Sequence, residues 1–400
     1  MTMLCARAAL KRALSRAYSS SAIPQRGDRV VLGMSGGIDS SVSAKLLAAQ
    51  DFDLSAIFMR NWDTRDEYGT SEKGCEWEKD WDDVQKVCRA YDIPCQMVDL
   101  SKEYWTRVFE PALRDWEDGV TPNPDVWCNR EIKFGALLNH LPSHNNSKPP
   151  WLATGHYARK DWHQSRPRLV RSLDPRKDQT YYLASIPESG LRQALFPLGE
   201  ITKDRVKGIA HDGVMPESVL ERPESMGLCF IGEKKRTDFK DFISSYIRPS
   251  PGPVKLVSTN QTLTEHQGLW SFTIGENIRL PGRPEKLYVV SKDIESNTIF
   301  VGPAHEPNLN VRNLQVKGFA WIWRDSPPDQ LNDGVKLVVQ IRHKMAPVLC
   351  TARSIGGKAS DLLIELDEPL KGVAPGQVAG LWDGDWCLGC GTISATNSVE

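Results

Sequence analysis

The chain has 400 residues, 40% of them apolar and 25% charged, with a formal net charge of -1. That length exceeds one ordinary domain, and the absence of a repeat period or a long low-complexity tract argues against a solenoid or a disordered chain. No apolar run approaches the roughly 20 residues a membrane-crossing helix needs, and the near-neutral balance means that a nucleic-acid partner must meet a local basic surface.

Residues 1–27 stand apart. They carry Arg7, Lys11, Arg12, Arg16 and Arg26, the run Ser19-Ser20-Ser21, and no acid before Asp28. An arginine- and serine-rich start without acids predicts a mitochondrial transit peptide and a matrix location. Its apolar stretches are too broken by charge for a secretory signal. Cleavage near Tyr18 would remove the first four cations and take the net charge from -1 to about -5.

The first predicted element is a buried strand, Val30-Val31-Leu32-Gly33-Met34. It breaks into Ser35-Gly36-Gly37-Ile38-Asp39-Ser40-Ser41, after which Val42, Leu46 and Leu47 have helical spacing. Leu54 to Met59 and Cys95 to Leu100 read as strands, Trp81 to Tyr91 and Glu103 to Glu117 as helices, and Trp151 to Thr154 as a strand entering Gly155-His156. Such alternation predicts an open parallel sheet with helices on both faces, and ligands bind such sheets beyond the carboxyl ends of the strands. The pattern changes after about residue 215. Residues 226–308 are mixed, and from 309 strands recur at short intervals: Leu314 to Phe319, Val335 to Ile341, Val348 to Ala352, Leu362 to Leu366 and Gln377 to Trp382. The expected architecture is a parallel α/β domain over 28–225, a small mixed domain over 226–308 and an antiparallel β-barrel over 309–400.

The segment from Ser35 to Ser41 has the chemistry of a phosphate loop. Two glycines let backbone approach an anion closely. The N–H groups and dipole at the next helix start favour negative charge, and Ser35, Ser40 and Ser41 add hydroxyls. Asp39 can cap the helix or help position a metal ion. No Gly-Lys-Ser/Thr is present, so this is not the Walker loop. The heptapeptide resembles that of the PP-loop ATP pyrophosphatases, which cleave ATP to AMP and pyrophosphate while adenylating a substrate oxygen. That group includes amide-forming synthetases and tRNA thiolases.

Nine cysteines are present, an odd number without the spacing of a disulfide framework. Two lie in suggestive settings. Cys128 follows Thr121-Pro122-Asn123-Pro124-Asp125, where the prolines predict a rigid, exposed approach, and Arg130 and Lys133 follow it. Nearby positive charge would favour the nucleophilic thiolate. Cys229, in Ser225-Met226-Gly227-Leu228-Cys229-Phe230-Ile231-Gly232, has glycines close on either side, as suits a loop that enters and leaves a site. Taken singly, each cysteine is as readily a packing residue.

Together with the loop, these segments resemble the tRNA-specific 2-thiouridylases, over nearly all of residues 29–393. The likeness includes Phe58-Met59-Arg60-Asn61-Trp62, Ala153-Thr154-Gly155-His156-Tyr157, Lys177-Asp178-Gln179-Thr180, Phe196-Pro197-Leu198-Gly199 and Pro375-Gly376-Gln377. The resemblance implies ATP, with Mg2+, held by Gly33, Met34, Ser35, Gly36, Gly37, Ile38, Asp39 and Ser40, with Met59 and Gly155 lining the nucleotide. Asn123, Pro124 and Asp125 would meet the target uridine, and Asp125 would move a proton. Cys229 would carry sulphur as a persulfide, and Cys128 would release it through a transient Cys128–Cys229 disulfide. His156, Lys177, Asp178, Gln179, Arg342, His343 and Gln377 would contact tRNA. The implied reaction gives 2-thiouridine at the anticodon wobble position, with sulphur from a cysteine desulfurase or sulphur carrier and no membrane partner.

The sequence departs from the family pattern at Thr273-Ile274-Gly275-Glu276 and at Arg342-His343, which bears on RNA contacts and leaves the chemistry intact. Cys387-Leu388-Gly389-Cys390 has redox spacing but no second ligand pair, and reads as strand and turn. Basic clusters at Arg166-Arg168-Arg171-Arg176-Lys177, Lys203-Arg205-Lys207 and Lys234-Lys235-Arg236 are candidate RNA surfaces. A small-metabolite ligase would have no need of the paired cysteines, and a silent RNA-binding module no need of an intact loop.

Overall fold

A computed structural model describes residues 23–62, 76–141, 148–222, 236–280 and 285–398. Residues 1–22 of the expected transit peptide over 1–27, Cys229 with its flanking glycines, and Lys234-Lys235 lie outside the described residues. The chain packs as two units. One comprises the described residues within Met1–Thr106, Trp127–Gly232 and Asp385–Cys387; the other, those within Arg107–Val126, Glu233–Gly384 and Leu388–Glu400.

The first unit is built on five parallel strands: β1 (Arg29–Met34), β2 (Asp53–Arg60), β3 (Cys95–Asp99), β4 (Trp151–Thr154) and β7 (Ala194–Leu195), in the order β3-β2-β1-β4-β7. Val30, Val31, Leu32, Leu152 and Ala153 are almost wholly buried, which explains the continuous apolar runs. Helix α1 (Ile38–Ala48) follows β1 and is apolar on two faces. Ala44 and Leu47 pack with Val84, Val87 and Cys88 of α2 (Glu76–Ala90). Val42 and Leu46 pack with Tyr157, Leu198 and, from Lys203–His211, Val206, Ile209 and Ala210. Burial of each Val, Leu or Ile among these contributes about 1.5–3 kcal/mol, so α1 is fixed from both sides.

Strand order reverses at β1, whose neighbours β2 and β4 lie on opposite sides. The crevice beyond the carboxyl ends of β1 and β4 is therefore the expected ligand position. A hairpin absent from the sequence expectations, β5 (Arg159–His163) and β6 (Arg166–Val170), turns through Gln164 and Ser165, both at positive φ of 48° and 66°.

The second unit holds two sheets. One is mixed, ordered β10 (Asn277–Ile278), β11 (Leu287–Asp293), β12 (Thr298–Pro303), β8 (Gly252–Leu256) and β9 (Thr262–His266), with β12 and β8 parallel. The other is a closed antiparallel barrel of six strands: β13 (Asn310–Trp321), β16 (Lys358–Lys371), β15 (Val348–Ile355), β14 (Val335–Gln340), β17 (Val378–Asp383) and β18 (Trp386–Ser398), with β13 pairing back onto β18. The expected barrel is present. Cys387 and Cys390 are buried on β18, the strand reading rather than a redox turn. Among the described residues no cluster of metal-ligating side chains occurs, and no helix is long and apolar enough to cross a membrane.

Candidate active site

The loop joining β1 to α1 is tied by its own hydroxyls. Ser40 Oγ receives the Ser35 N–H at 3.2 Å and donates to the Gly37 carbonyl at 3.0 Å, and Ser41 Oγ donates to the same carbonyl at 2.9 Å. Gly36 has φ +74°, a conformation that favours glycine. Gly37 stands at the N-cap with no side-chain acceptor, so the first N–H groups of α1 are left to other acceptors. A preorganised turn at a helix start is what an anion site requires.

The loop after β4 closes on the loop after β1. A Cβ on Gly155 would lie 2.9 Å from the Ser40 nitrogen and 3.1 Å from the Asp39 carbonyl carbon, so only glycine allows this approach. Next to it, His156 Nδ1 is 2.8 Å from Thr154 Oγ1 and its Nε2 is 3.4 Å from Lys133 Nζ. Burial, and then the Lys133 charge, hold this imidazole well below its usual pKa, so it is neutral. The ammonium can only donate, so Nε2 accepts and Nδ1–H donates to Thr154.

Lys133 belongs to the helical run that carries the candidate nucleophile. Pro124–Cys128 forms α3 and continues as Asn129–Ala136 in π-type turns. Asn123 Oδ1 accepts the Val126 N–H at 3.4 Å and Pro124 takes the first helical position, so Asn-Pro-Asp is a helix start. Asp125 and Cys128 share α3. The approach to Cys128 is not exposed as expected: Pro122, Pro124 and Val126 are buried, and Cys128 is 1% exposed. Arg130 pairs with Glu131 at 2.6 Å and lies 4.5 Å over Trp127, while Lys133 reaches His156. Burial pushes the thiols of Cys88 and Cys350 up to about 12, which removes both as nucleophiles. No disulfide joins the described cysteines.

One site residue was missed by sequence reading. Lys203, the first residue of α4 (Lys203–His211), is buried and places Nζ 2.7 and 2.9 Å from the Asp39 carboxylate oxygens. Tyr157 OH donates to the same carboxylate at 2.7 Å. Asp39, expected to cap or to hold a metal, is thus already closed by an ammonium and a phenol. In the sequence Lys203 reads with Arg205 and Lys207 as a basic surface cluster; in the fold it is buried.

A family described as tRNA methyl transferase HUP domain matches residues 28–233, its PRC-barrel domain 240–303, and an aminomethyltransferase β-barrel domain 311–393. The tRNA-specific 2-thiouridylase MnmA of Bacillus subtilis is 37% identical over 91% of this chain and 94% of its own length. That of Pectobacterium carotovorum is 36% identical over 91% and 96%. The chain belongs to the tRNA-specific 2-thiouridylase family. Among solved structures, the U34-tRNA thiolase NcsA of Methanococcus maripaludis is similar with a TM-score of 0.35 at 18% identity, covering 62% of this chain and 74% of that one.

In this thiouridylase-family chain the remaining expected site residues have varied settings. Met59 is half-buried near the carboxyl end of β2, while Met34 ends β1 and is buried. Asp178 accepts from the Ser172 N–H at 2.9 Å, Arg171 at 3.0 Å and Thr180 at 2.6 Å, and Gln179 Oε1 accepts the Tyr157 N–H at 2.9 Å. Both therefore brace the fold. Lys177 is half-buried and donates its N–H to the Asp174 carbonyl. In the second unit, Gln377 Nε2 donates to the carbonyls of Thr121 and Pro122 at 2.9 and 3.2 Å, holding the chain just before Asn123. Arg342 is exposed and donates to the Gly372 and Lys371 carbonyls, beside half-buried His343. The expected basic patch at 166–177 is largely neutralised. Arg166 pairs with Glu188, Arg168 with Asp161, Arg171 with Asp178, and Arg176 with Asp174 and Asp204.

Proposed function

We propose that this protein is a mitochondrial tRNA-uridine 2-sulphurtransferase that adenylates the 2-oxygen of the anticodon wobble uridine and replaces it with sulphur. The observation that carries this is the contact chain Ser40–Gly155–His156–Lys133. It links the phosphate loop to the helix bearing Cys128, so nucleotide and thiol serve one reacting centre. A methyl transfer, which the description of the matching family names, has no use for a triphosphate loop. Thiolation does, because uridine oxygen leaves poorly until it is esterified to AMP.

ATP sits with its phosphates on Gly33 to Ser40, beside Met59 and Gly155. Mg2+, a small hard cation that takes oxygen ligands, would supply neutralisation of the triphosphate charge, and Asp39 would help to hold it on yielding its bond to Lys203. The uridine 2-oxygen attacks the α-phosphorus and pyrophosphate leaves. The terminal sulphur of a Cys229 persulfide, loaded by a cysteine desulfurase or sulphur carrier, then attacks C2 and AMP leaves. Cys128 attacks the Cys229 sulphur, the S–S bond to the product breaks, and a Cys128–Cys229 disulfide forms until a thiol reductant reopens it. Asp125, one turn before Cys128, moves the proton. The base must leave its stack to reach this centre, with Asn123 and Pro124 beside it and His156, Lys177, Arg342, His343 and Gln377 toward the tRNA.

Incubating the protein with ATP, a persulfide donor and mitochondrial tRNA should release pyrophosphate only when tRNA is present, and nucleoside mass spectrometry should find 2-thiouridine. Pyrophosphate release driven by an amino acid, or tRNA binding without ATP turnover, would sink the proposal. Unchanged 2-thiouridine in mitochondrial tRNA of cells lacking the protein would sink it too.

A further inference from the structure

We propose that Arg222 is a phosphate-binding residue of the ATP site, restrained by Asp80 until a triphosphate takes its place. The inference rests on the reading of the glycine turn as an ATP loop. A Cβ on Gly36 would meet Arg222 Nη1 at 3.1 Å and the Asp80 carbonyl at 2.9 Å, so the guanidinium lies directly against the turn. Its Nη2 donates to Asp80 Oδ1 at 2.5 Å, and Nη1 is 4.0 Å from Asp83 Oδ2. Asp83 has partners of its own, Ser218 Oγ at 2.6 Å and Lys86 at 3.8 Å. Asp80 is thus the acid that fixes Arg222.

Backbone N–H groups and serine hydroxyls supply dipoles but no full positive charge. Lys203, another cation near this loop, is 5% exposed and closed by Asp39 and Tyr157. The Arg222 side chain is 33% exposed, so its fork remains within reach of a ligand. A guanidinium binds carboxylate and phosphate by the same two-pronged geometry. A triphosphate outcompetes one carboxylate because it brings more charge and more acceptor oxygens. Asp80 thereby acts as a stand-in for phosphate, and ATP binding exchanges one anion for another.

This exchange makes two substitutions at one ion pair act in opposite directions. Arg222→Ala should weaken ATP and pyrophosphate binding about 10- to 100-fold while AMP binding stays within twofold. Asp80→Asn should tighten ATP binding about two- to fivefold, and Arg222→Lys should recover part of the loss. Calorimetric titration of the full-length protein with ATP, pyrophosphate and AMP reads all three. ATP affinity unchanged in a folded Arg222→Ala protein overturns the proposal. So does an AMP loss equal to the ATP loss, or weaker ATP binding in Asp80→Asn. If Arg222→Ala does not fold, Asp80→Asn and Arg222→Lys decide by their signs. Failure of the native protein to bind ATP is a different result, which removes the ATP reading itself.

Discussion

The two units bury similar aliphatic cores but treat charge differently. Inside the barrel lie Leu314, Val316, Val339, Cys350, Ile364, Leu366 and Leu381, and Gln340, buried on the opposite face of β14, is satisfied by the Arg342 carbonyl. The first unit instead buries Asp83, Asp174 and Lys203. Each is matched, Asp83 by Ser218, Asp174 by the Lys203 and Arg176 N–H groups, and Lys203 by Asp39. Taking an ion out of water costs several kcal/mol, and well-packed apolar replacements often do no harm to stability. The interior of the barrel avoids that cost. The unit that accepts it places Asp39 and Lys203 at a helix start where an anion is expected. Buried, paired charge next to a glycine turn is therefore a better marker of the site than surface arginine.

The sharpest break of this comparison is in activity. Cys128→Ser should lower thiolation at least about 1000-fold with stability within about 1 kcal/mol of native, and Cys229→Ser should match it. Thiolation by tRNA mass spectrometry and urea unfolding read the two quantities. A Cys128→Ser protein that still thiolates removes this cysteine from the chemistry.

Stability should break next, at the Lys203–Asp39 pair, whose carboxylate is 34% exposed. Lys203→Met leaves Asp39 facing only Tyr157 and should cost about 1–3 kcal/mol. Hydrogen exchange would show the loss in β1, α1 and α4 and not in the barrel strands. Lys203→Met with Asp39→Leu should regain most of it, since no charge is then stranded. Equal loss in single and double variants would mean that a stranded charge is not the cause, and little loss in either that the pair is mere surface.

Glycines separate the units in a third way. Gly155→Ala drives a methyl to within 2.9 Å of the Ser40 nitrogen, so the loop must shift, at about 1–3 kcal/mol and with loss of ATP binding. Gly357→Ala in the barrel has φ +71° and nothing within 4 Å. It should cost about 1–2 kcal/mol through backbone strain alone, with ATP affinity untouched.

Much of this was legible in the chain. The parallel unit shows as continuous apolar runs because both faces of β1 and β4 are covered, and the barrel as strands at short intervals. The glycine turn was readable because its demands are local. The β5–β6 hairpin was not, since Gln164-Ser165 lacks the Asn-Gly signature of a tight turn. Lys203 was hidden for a different reason. Its partner Asp39 is 164 residues away, and no local pattern distinguishes a buried lysine from a solvated one. The arginines of β6 misled for the same cause, because their neutralising acids come from β5 and Glu188–Gln193.

A smaller effect should appear with pH. His156 has its folded pKa depressed, so below about 6.5 the unfolded chain binds a proton that the folded chain refuses. Stability of the first unit should then fall as pH drops, by at most about 1.4 kcal/mol per pH unit, until the folded pKa is reached. Lys133→Met removes the like charge and should make the slope end at a higher pH. A chemical-denaturation series between pH 7 and 5 checks this, and a native-to-His156→Asn comparison isolates the residue.

The smallest change concerns RNA affinity. Arg168 is held by Asp161 at 2.7 Å, so RNA gains little from its charge without breaking that pair. Arg205, exposed on α4, has no ion-pair partner among the described residues. Counterion release depends on cations that neutralise phosphate rather than carboxylate. Arg205→Gln should therefore lower the salt-dependence slope of tRNA binding by about one, and Arg168→Gln should change affinity by less than about twofold. The paired set is adjacent in sequence and looks the more basic, so the two readings oppose each other. If Arg168→Gln flattens the slope and Arg205→Gln does not, pairing in the protein does not govern which cations meet RNA, and the β6 arginines return as the RNA surface.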